Sequence, residues 1–509
     1  MHNNNVTDGS DIKIAVAKGD GIGPEIMDAV LQIFSAAKVP LNYLFIEMGK
    51  WVFDKGFPTG MTPESKEIIE QTGVLFKGPM ETPKGEGVKS INVTARKTWN
   101  TYANKRSFKS LRGVETVYSK AGLPIDLIVV RENIEDTYGG IEHQLTSDVA
   151  LVRRFITKPG SLQLARYAFE MAKTEGRKRV TCGHKANIMK ITDGLFLSCF
   201  YEVAKNYPDI HADDIIVDDL CMKLVVKPNT FDIIMLPNLQ GDIVSDLCAG
   251  LVGGLGFAPS ANIGDHICIF EAVHGTAPDI AGKNLANPTA LLLSGIGMLN
   301  HLSMKNSIFK EKARIIEDAL LLTLEQGKHT GDFGSTETPS ISTKDFAKAI
   351  TDNLVMSDNH LSNNASFLPK ESTQFSNRNK LTTNPFITGP IIETGSIVGA
   401  DIFIESLQQP SEIANKLKYI NDKFFSFSKK MALIMISNRG TQVWPTGSVY
   451  TNLVNHFRLR FESKSPDHLT QSDIIELYRE VSEHYRVSSV EILQTWNGKK
   501  GYSLAQGQE

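Results

Sequence analysis

The chain has 509 residues, of which 41% are hydrophobic and 22% charged, and its 54 basic and 57 acidic residues give a formal net charge of -3. At about 150 residues per domain this length predicts roughly three domains. The composition is too apolar for a disordered chain and too mixed for a fibrous one. The near-neutral charge offers no global field for nucleic acid or an anionic membrane, so we expect neither partner.

Cysteine usage and the N-terminus predict a cytoplasmic protein. The five cysteines show no C-x-x-C spacing and none occurs after Cys268, which favours reduced thiols. Residues 1–11 are polar and Asn-rich, and the longest apolar runs, such as residues 290–299, are too short to span a bilayer. We therefore expect no export and no membrane segment.

Strands alternate with helices along the first 350 residues. Residues 12–16 predict a strand, a glycine-rich turn follows at residues 19–23, and a helix runs from Pro24 to about Ala36. Further short strands are predicted at residues 73–77, 126–131, 179–183, 215–217 and 231–236. This alternation predicts an α/β fold.

The turn at residues 19–23 does not match a dinucleotide-binding fingerprint. Pro24 stands where G-x-G-x-x-G needs its last glycine, and no acidic residue follows at the expected spacing. A tight turn before a helix explains the same residues equally well.

Three arginines and three aspartates are candidates for a polar site. Arg131 follows an apolar strand, and with Arg96 and Arg106 it could hold a polycarboxylate, although each arginine alone is as well explained as a surface residue. Asp242 and Asp246 lie four residues apart on one predicted helix face, where they repel unless a divalent cation neutralises them. The alternative is a helix N-terminus favouring acidic residues. Asp218 follows another strand.

The composition changes after residue 355. Residues 356–386 are rich in Ser, Asn, Thr and Lys, which predicts a linker. Beyond it, residues 402–404 and 431–436 predict strands, a Thr470-x-x-Asp473 signal predicts a helix start, and Asn497-Gly498 predicts a hairpin turn. The tail is therefore predicted to be a small α+β domain.

Six motifs together resemble the β-decarboxylating dehydrogenases, the isocitrate/isopropylmalate dehydrogenase family. They are GDGIGPE (19–25), Ser90-x-Asn92-x-x-x-Arg96, Arg131-Glu132-Asn133, HKANIMK (184–190), NLQGDIVSD (238–246) and FEAVHGTAPDIAG (270–282). The best match is to isocitrate-specific members of the longer bacterial type with a C-terminal extension. The resemblance covers residues 12 to about 350.

The resemblance implies a two-domain α/β catalytic region and a homodimer, or a higher oligomer, with sites shared between subunits. Its expected boundaries are residues 1–105 and 253–352 for a large domain, 106–252 for a small domain carrying the dimer interface, 353–385 for the linker and 386–509 for the C-terminal domain.

The resemblance also implies the site residues. Tyr138 and Lys185 are the expected acid/base pair, and Asp218, Asp242 and Asp246 are the expected ligands of Mg2+ or Mn2+, with Lys185 and Asp218 coming from the partner chain. The expected substrate-binding residues are Ser90, Asn92, Arg96, Arg106 and Arg131. The expected cofactor-binding residues are Thr82, Asn187, Glu271, His274, Gly275, Thr276, Ala277, Asp279, Ile280 and Asn287.

The resemblance implies oxidative decarboxylation of isocitrate to 2-oxoglutarate and CO2, a tricarboxylic acid cycle reaction. Ser90 and Asn92 suit a third carboxylate, where isopropylmalate enzymes carry apolar residues. Homoisocitrate, isopropylmalate, tartrate or malate dehydrogenases and a non-catalytic regulatory subunit are the alternatives. NAD is the expected cofactor, because NAD-using members carry Asp-Ile where this chain has Asp279 and Ile280, and because residues 330–336 lack a Tyr and Arg pair for a 2'-phosphate.

Overall fold

A computed structural model describes residues 12–82, 90–334, 338–360, 395–423, 430–446, 452–464 and 469–503. The N-terminal residues 1–11 and part of the 330–336 segment, on which two of the expectations rest, lie outside these ranges. The chain divides into two compact units, the first made of Met1–Tyr138, Phe155–Ile188 and Asp193–Phe375 and the second of Gly139–Arg154, Met189–Thr192 and Ser376–Glu509. No helix in the described ranges is long and apolar enough to cross a membrane.

The first unit alternates strands and helices, as its hydrophobic pattern predicts. Its strands are β1 (Lys13–Ala17), β2 (Asn42–Phe45), β3 (Val74–Lys77), β4 (Ala103–Lys109), β5 (Asp126–Glu132), β8 (Arg179–His184), β9 (His211–Ile216), β10 (Ile233–Leu236), β11 (Pro259–Ile263) and β12 (Cys268–Ala272). Its helices are α1 (Gly23–Ala36), α2 (Lys50–Asp54), α3 (Pro63–Thr72), α4 (Ile91–Thr98), α5 (Val117–Lys120), α6 (Lys158–Glu175), α7 (Thr192–Ala204), α8 (Val217–Val226), α9 (Asn238–Leu251), α10 (Thr289–Leu302), α11 (Ile308–Glu325) and α12 (Thr343–His360).

These ten strands form one sheet in the order β2-β1-β3-β12-β11-β4-β5-β10-β8-β9. The pairs β12-β11, β11-β4 and β4-β5 are antiparallel, and the other pairs are parallel. The parallel strands read as continuous apolar runs, and Ile14–Ala17 and Ile233–Leu236 are fully buried because helices cover both faces of such sheets. The chain reversal at β4 and β11 brings residues from distant segments together in the middle of the sheet.

The second unit contains an antiparallel sheet. Its strands are β13 (Ser396–Glu405), β14 (Met431–Asn438), β15 (Thr441–Trp444), β16 (His456–Ser463), β17 (Arg486–Trp496) and β18 (Lys499–Lys500), in the order β15-β14-β16-β13-β17-β18. The helices α13 (Pro410–Lys423) and α14 (Gln471–Ser482) contribute Ile413 and Leu477 to one core that also contains Ile402 and Leu459 of the sheet. Two helices packed against an antiparallel sheet confirm the predicted α+β tail.

Local signals in the tail are confirmed in detail. Thr470 and Asp473 form a capping box, with the Thr470 side chain accepting from the Asp473 N–H at 3.3 Å and the Asp473 carboxylate accepting from the Thr470 N–H at 2.7 Å. Asn497 and Gly498 have positive φ angles of 50° and 76° in the turn between β17 and β18. A buried ion pair that the sequence does not suggest joins Asp401 to Arg460, with two nitrogen–oxygen distances of 2.7 Å.

The second unit also includes the hairpin of β6 (Glu142–Gln144) and β7 (Ala150–Val152). Within this unit the Thr146 hydroxyl donates to the Asn455 side chain at 2.7 Å, and Arg153 pairs with Glu491 at 2.7 Å. Helix α12 extends to His360, and residues 361–394 lie outside the described part, so the linker bounds stay a prediction. The five cysteines are free thiols.

Candidate active site

The carboxyl end of β5 and the start of α9 bring charged side chains together in the first unit. Strands β5 and β10 are parallel neighbours with Arg131 opposite Leu236, and α9 begins two residues after Leu236. Arg131 is 1% exposed, donates from Nε to the Asn238 main-chain oxygen at 3.0 Å, and pairs with Asp242. Gly241 permits this packing, because a Cβ there would lie 2.6 Å from Cγ of Arg131.

Arg106 reaches the same helix from β4. Its Nη1 donates to the Ser245 hydroxyl at 2.6 Å, and its guanidinium lies 3.4 Å from a carboxylate oxygen of Asp242 and 3.5 Å from one of Asp246. Burial, together with the charges of Arg131 and Arg96, lowers the pKa of Arg106 to about 10. The arginines therefore supply the positive charge that the spacing of Asp242 and Asp246 requires.

Asp242 and Asp246 differ in their protonation equilibria. Burial disfavours the charged form of Asp242, but Arg131, the Tyr138 hydroxyl and Arg106 outweigh this effect and lower its pKa. Burial raises the pKa of Asp246, and its weaker contact with Arg106 does not compensate. Both side chains are partly exposed, at 35% and 57%, so their oxygens are accessible to a ligand.

Tyr138 lies directly over this pair of charges. Its hydroxyl donates to Oδ2 of Asp242 at 2.6 Å, and the Arg131 guanidinium lies 4.9 Å from its ring centre. Burial and the hydrogen bond to Asp242 raise the pKa of Tyr138. Its main-chain oxygen accepts from the Lys97 ammonium at 2.7 Å.

Asp136, which the sequence reading missed, positions the Tyr138 turn. It is fully buried, has a positive φ of 67°, and accepts from the Leu239 N–H at 2.9 Å at the start of α9. A non-glycine residue in this conformation is strained and persists where surrounding contacts hold it. No pattern in the sequence predicts that Asp136 adopts this buried, strained conformation.

Arg96 and Glu271 join in a buried network next to this cluster. Arg96 donates to Oε1 of Glu271 at 3.1 Å, Asn262 donates to the same oxygen at 2.7 Å, and the buried Lys77 ammonium pairs with Oε2. Although burial opposes ionisation, Lys77 and Arg96 hold the pKa of Glu271 well below its usual range. Glu271 is expected from the resemblance to bind cofactor, whereas its contacts within this chain orient Arg96. The role of Lys77 was not foreseen.

Two buried polar atoms near Arg96 have no partner among the described residues. They are Nε of Arg96 and Oδ1 of Asn92. Buried hydrogen-bonding atoms are rarely left unpaired, so both are suited to a polar ligand. Ser90 precedes α4, and its hydroxyl lies 3.4 Å from that of Thr82, while residues 83–89 between them are outside the described part.

The GDGIGPE segment holds a neighbouring loop in place. Ile22 N–H donates to the Thr276 main-chain oxygen at 2.9 Å, and a Cβ on Gly21 would lie 2.1 Å from that oxygen. Asp20 accepts from the main-chain N–H groups of Lys50 and Glu81, each at 2.9 Å. The turn therefore holds the loop of residues 274–280 in place, which agrees with its interpretation as a tight turn before a helix.

The expected cofactor residues lie in several parts of the first unit. His274, Gly275, Thr276, Ala277, Asp279 and Ile280 lie together in the 274–280 loop. Burial lowers the pKa of His274, and its Nε2 has no partner among the described residues. Asn287 donates to Asp332 at 3.0 Å. Asn187, by contrast, is exposed in the turn after Lys185, and no contact of the described residues joins it to that loop.

Lys185 and Asp218 form a second charged cluster. The Lys185 ammonium pairs with Asp218 in the first turn of α8, and this hydrogen bond lowers the pKa of Asp218. In the described part of one chain, no contact joins either residue to Tyr138, Asp242 or Asp246. No group of three His, Cys, Asp or Glu side chains in that part is placed to hold a metal ion.

Comparisons with known proteins decide the family. Residues 13–350 match the model for isocitrate/isopropylmalate dehydrogenase, and residues 395–508 match the model for the bacterial isocitrate dehydrogenase C-terminal domain. The chain belongs to the isocitrate/isopropylmalate dehydrogenase family. The family assignment and the α/β fold with a separate C-terminal domain are thus confirmed.

Family members of the longer bacterial type align along almost the whole chain. The chain is 42% identical to "Isocitrate dehydrogenase [NADP]" of Thermus thermophilus over 97% of its own length and 96% of that protein. It is 38% identical to "Isocitrate dehydrogenase [NADP]" of Rickettsia felis, covering 97% and 99% of the two chains. The crystal structure of the TT0538 protein from Thermus thermophilus superposes with a TM-score of 0.85 at 42% identity, over 98% and 96% of the two chains.

These relatives correct the predicted cofactor. NAD was predicted from Asp279 and Ile280, but the full-length relatives are NADP-dependent isocitrate dehydrogenases, so the NAD prediction is wrong. The physical reason lies in the loop, where Asp279 is exposed and no hydrogen bond or ion pair holds it among the described residues. Because no contact in the described part of the chain orients the Asp279 side chain, its presence in the sequence does not establish which ribose group it faces.

Proposed function

We propose that this chain catalyses the oxidative decarboxylation of isocitrate to 2-oxoglutarate and CO2 with NADP as the hydride acceptor. The observation that carries the proposal is the convergence of Arg96, Arg106 and Arg131 beside Asp242 and Tyr138. Guanidinium groups bind carboxylates in a planar, directional way. Three of them around one acidic site suit a substrate with several carboxylates.

Asp242 and Asp246 would hold a divalent cation, Mg2+ or Mn2+. Both present partly exposed carboxylate oxygens on one helix face, which are the ligands that these ions prefer. When bound, the cation would polarise the oxygen at the carbon being oxidised and offset negative charge as CO2 leaves. The low pKa of Asp242 keeps this ligand ionised at neutral pH.

The protein's own residues would position the substrate and move two protons. Arg96, Arg106 and Arg131 would hold the carboxylates, and Ser90 and Asn92 would contact the third carboxylate that distinguishes isocitrate from isopropylmalate. Lys185, in its neutral amine form, would accept the proton of the substrate hydroxyl. Tyr138 would donate a proton to the carbon that loses CO2.

The active assembly would contain two copies of the chain. Lys185 and Asp218 form their own cluster in one copy, apart from Asp242 and Asp246, so a second copy would complete the site. Helices α8 and α9 present apolar side chains that suit such an interface, because Met222, Val225, Val226 and Ile243 are 51–61% exposed. The catalytic region would divide into a large domain, residues 1–105 and 253–352, and a small domain, residues 106–252.

Turnover with matched substrates and nucleotides tests the proposal. The full-length protein should reduce NADP when Mg2+ or Mn2+ and isocitrate are present, and EDTA should abolish the reaction. NADP should give a kcat/KM at least about 10-fold above that of NAD, which is about 1.4 kcal/mol of discrimination. Preferred use of isopropylmalate or homoisocitrate would refute the substrate assignment. If no combination of substrate and nucleotide gave turnover, a regulatory subunit would be the better hypothesis.

A further inference from the structure

His184 lies directly before Lys185 at the end of β8 and contacts the residue that follows the lysine. It is 5% exposed, and its Nδ1 accepts from the Ala186 N–H at 3.0 Å. Because Nδ1 accepts, the ring proton is on Nε2, which lies 2.9 Å from Oδ2 of Asp214. The imidazole therefore connects the Lys185 turn to β9.

Asp214 is oriented in turn by Tyr201. The Tyr201 hydroxyl of α7 donates to Oδ1 of Asp214, while His184 occupies Oδ2. Burial works against the charged form of Asp214, but these two hydrogen bonds outweigh it and lower the pKa of the carboxyl. Asp214 thus stays ionised and keeps His184 in the tautomer that serves Ala186.

The main chain of Lys185 is also held from the other direction. Its N–H donates to Oδ2 of the buried Asp193 at 2.7 Å, and Gln240 of α9 donates to the same oxygen at 3.2 Å. Gln240 precedes Asp242 by two residues. The lysine backbone is therefore fixed between β9 and the helix that carries the acidic pair.

We infer that His184, Asp214 and Tyr201 form a positioning relay that sets the location of the Lys185 side-chain nitrogen during proton transfer. The inference rests on the proposed role of Lys185 in isocitrate oxidation. None of the three residues needs to touch the substrate, because they act through the main chain at residues 184–186. A displacement of about 1 Å at a reacting group can cost about 100-fold in rate, so a fixed lysine backbone has a kinetic consequence.

Variants of the relay separate its two hydrogen bonds. His184→Asn keeps an acceptor near the Nδ1 position but loses the contact with Asp214, and Tyr201→Phe removes only the hydroxyl that orients Asp214. Tyr207→Phe is the matched control, because the Tyr207 hydroxyl of the same region donates to Glu170, away from Lys185. Lys185→Met measures the contribution of the lysine itself.

The kinetic signature is a fall in kcat with an unchanged KM for isocitrate. We expect kcat to fall about 10-fold in His184→Asn and about 3-fold in Tyr201→Phe, with KM within about 2-fold and a larger solvent deuterium isotope effect on kcat. The double variant should be no slower than His184→Asn, because groups that act as one unit are not additive. Tyr207→Phe should match the wild type in kcat and isotope effect.

Three results would overturn the relay, and they are distinguishable. If Lys185→Met is inactive while His184→Asn and Tyr201→Phe keep the wild-type kcat and isotope effect, the relay is wrong and the proposed function stands. If Lys185→Met keeps full turnover, the proposed role of Lys185 fails, and the relay fails with it. A loss of melting temperature without a change in kcat also refutes positioning.

Discussion

Arg131 and Asp242 form an ion pair in which the arginine is almost wholly buried and the aspartate is one-third exposed. Tyr138 occupies the second oxygen of that carboxylate, at 2.6 Å. Both oxygens of Asp242 thus accept contacts within the chain, so a cation bound there would share an oxygen with one of these groups or replace it. The Tyr138 hydroxyl is the more easily replaced group, because it is neutral and half-buried, whereas Arg131 is charged and enclosed.

Tyr138→Phe should therefore separate cation binding from catalysis. Removing the hydroxyl frees Oδ2 of Asp242, so the Kd for Mn2+ should be no higher than in the wild type. Loss of the proton donor should lower kcat about 100-fold. Calorimetric Mn2+ titration and NADP reduction measure the two effects. Weaker Mn2+ binding with unchanged turnover would contradict both assignments.

Mixed dimers should reveal whether the site is shared. Lys185→Met and Tyr138→Phe proteins should each be nearly inactive, while their co-expression should restore about a quarter of wild-type activity. In a two-fold dimer with shared sites, half of the molecules are hybrids and each hybrid holds one intact site. The test measures the activity of the hybrid dimer, which is purified with two different affinity tags. No recovery would place both residues in the same subunit's site.

Glu271→Gln should destabilise the first unit, because it leaves the buried Lys77 ammonium without its anion. Breaking a buried pair from one side costs about 3–5 kcal/mol. The double variant Lys77→Met/Glu271→Gln should recover part of that loss. Melting temperatures at pH 7 compare the three proteins, and a double variant less stable than Glu271→Gln would show that Lys77 does not depend on this anion.

The ion pair between Lys77 and Glu271 also makes the stability of the protein depend on pH. The pKa of Glu271 lies below its ordinary value, so its contribution is complete above about pH 4.3 and is lost as pH falls through the folded-state pKa. The difference in melting temperature between wild type and Glu271→Gln should stay constant from pH 7 to 5 and narrow below pH 4. A difference that widens at low pH would contradict the assigned ionisation.

Ser90→Asp should weaken isocitrate binding through like-charge repulsion. Ser90 lies at the start of α4, six residues before Arg96. We expect KM for isocitrate to rise at least about 100-fold, with KM for NADP within about 3-fold. Ser90→Asn is the control, because asparagine has the shape of aspartate without its charge. Equal KM values for the two variants would exclude a charge effect at Ser90.

The sequence by itself determined the features that depend on neighbours a few residues apart. The four-residue spacing of Asp242 and Asp246 follows from the helical period, and the capping box at Thr470 and Asp473 closes within one turn. Family motifs predicted the site residues, but the nucleotide predicted from them was wrong, because Asp279 is exposed and its direction is not fixed by its neighbours.

Only the tertiary structure decided which residues from distant parts of the chain form ion pairs. Lys77, Arg96 and Glu271 come from segments far apart in the chain and meet because β3 pairs with β12 while α4 lies before β4. Arg106 reaches Ser245 and Asp242 because β4 pairs with β5, which is parallel to the strand preceding α9. Strand order depends on the packing of the whole sheet, and no local period in the sequence records it.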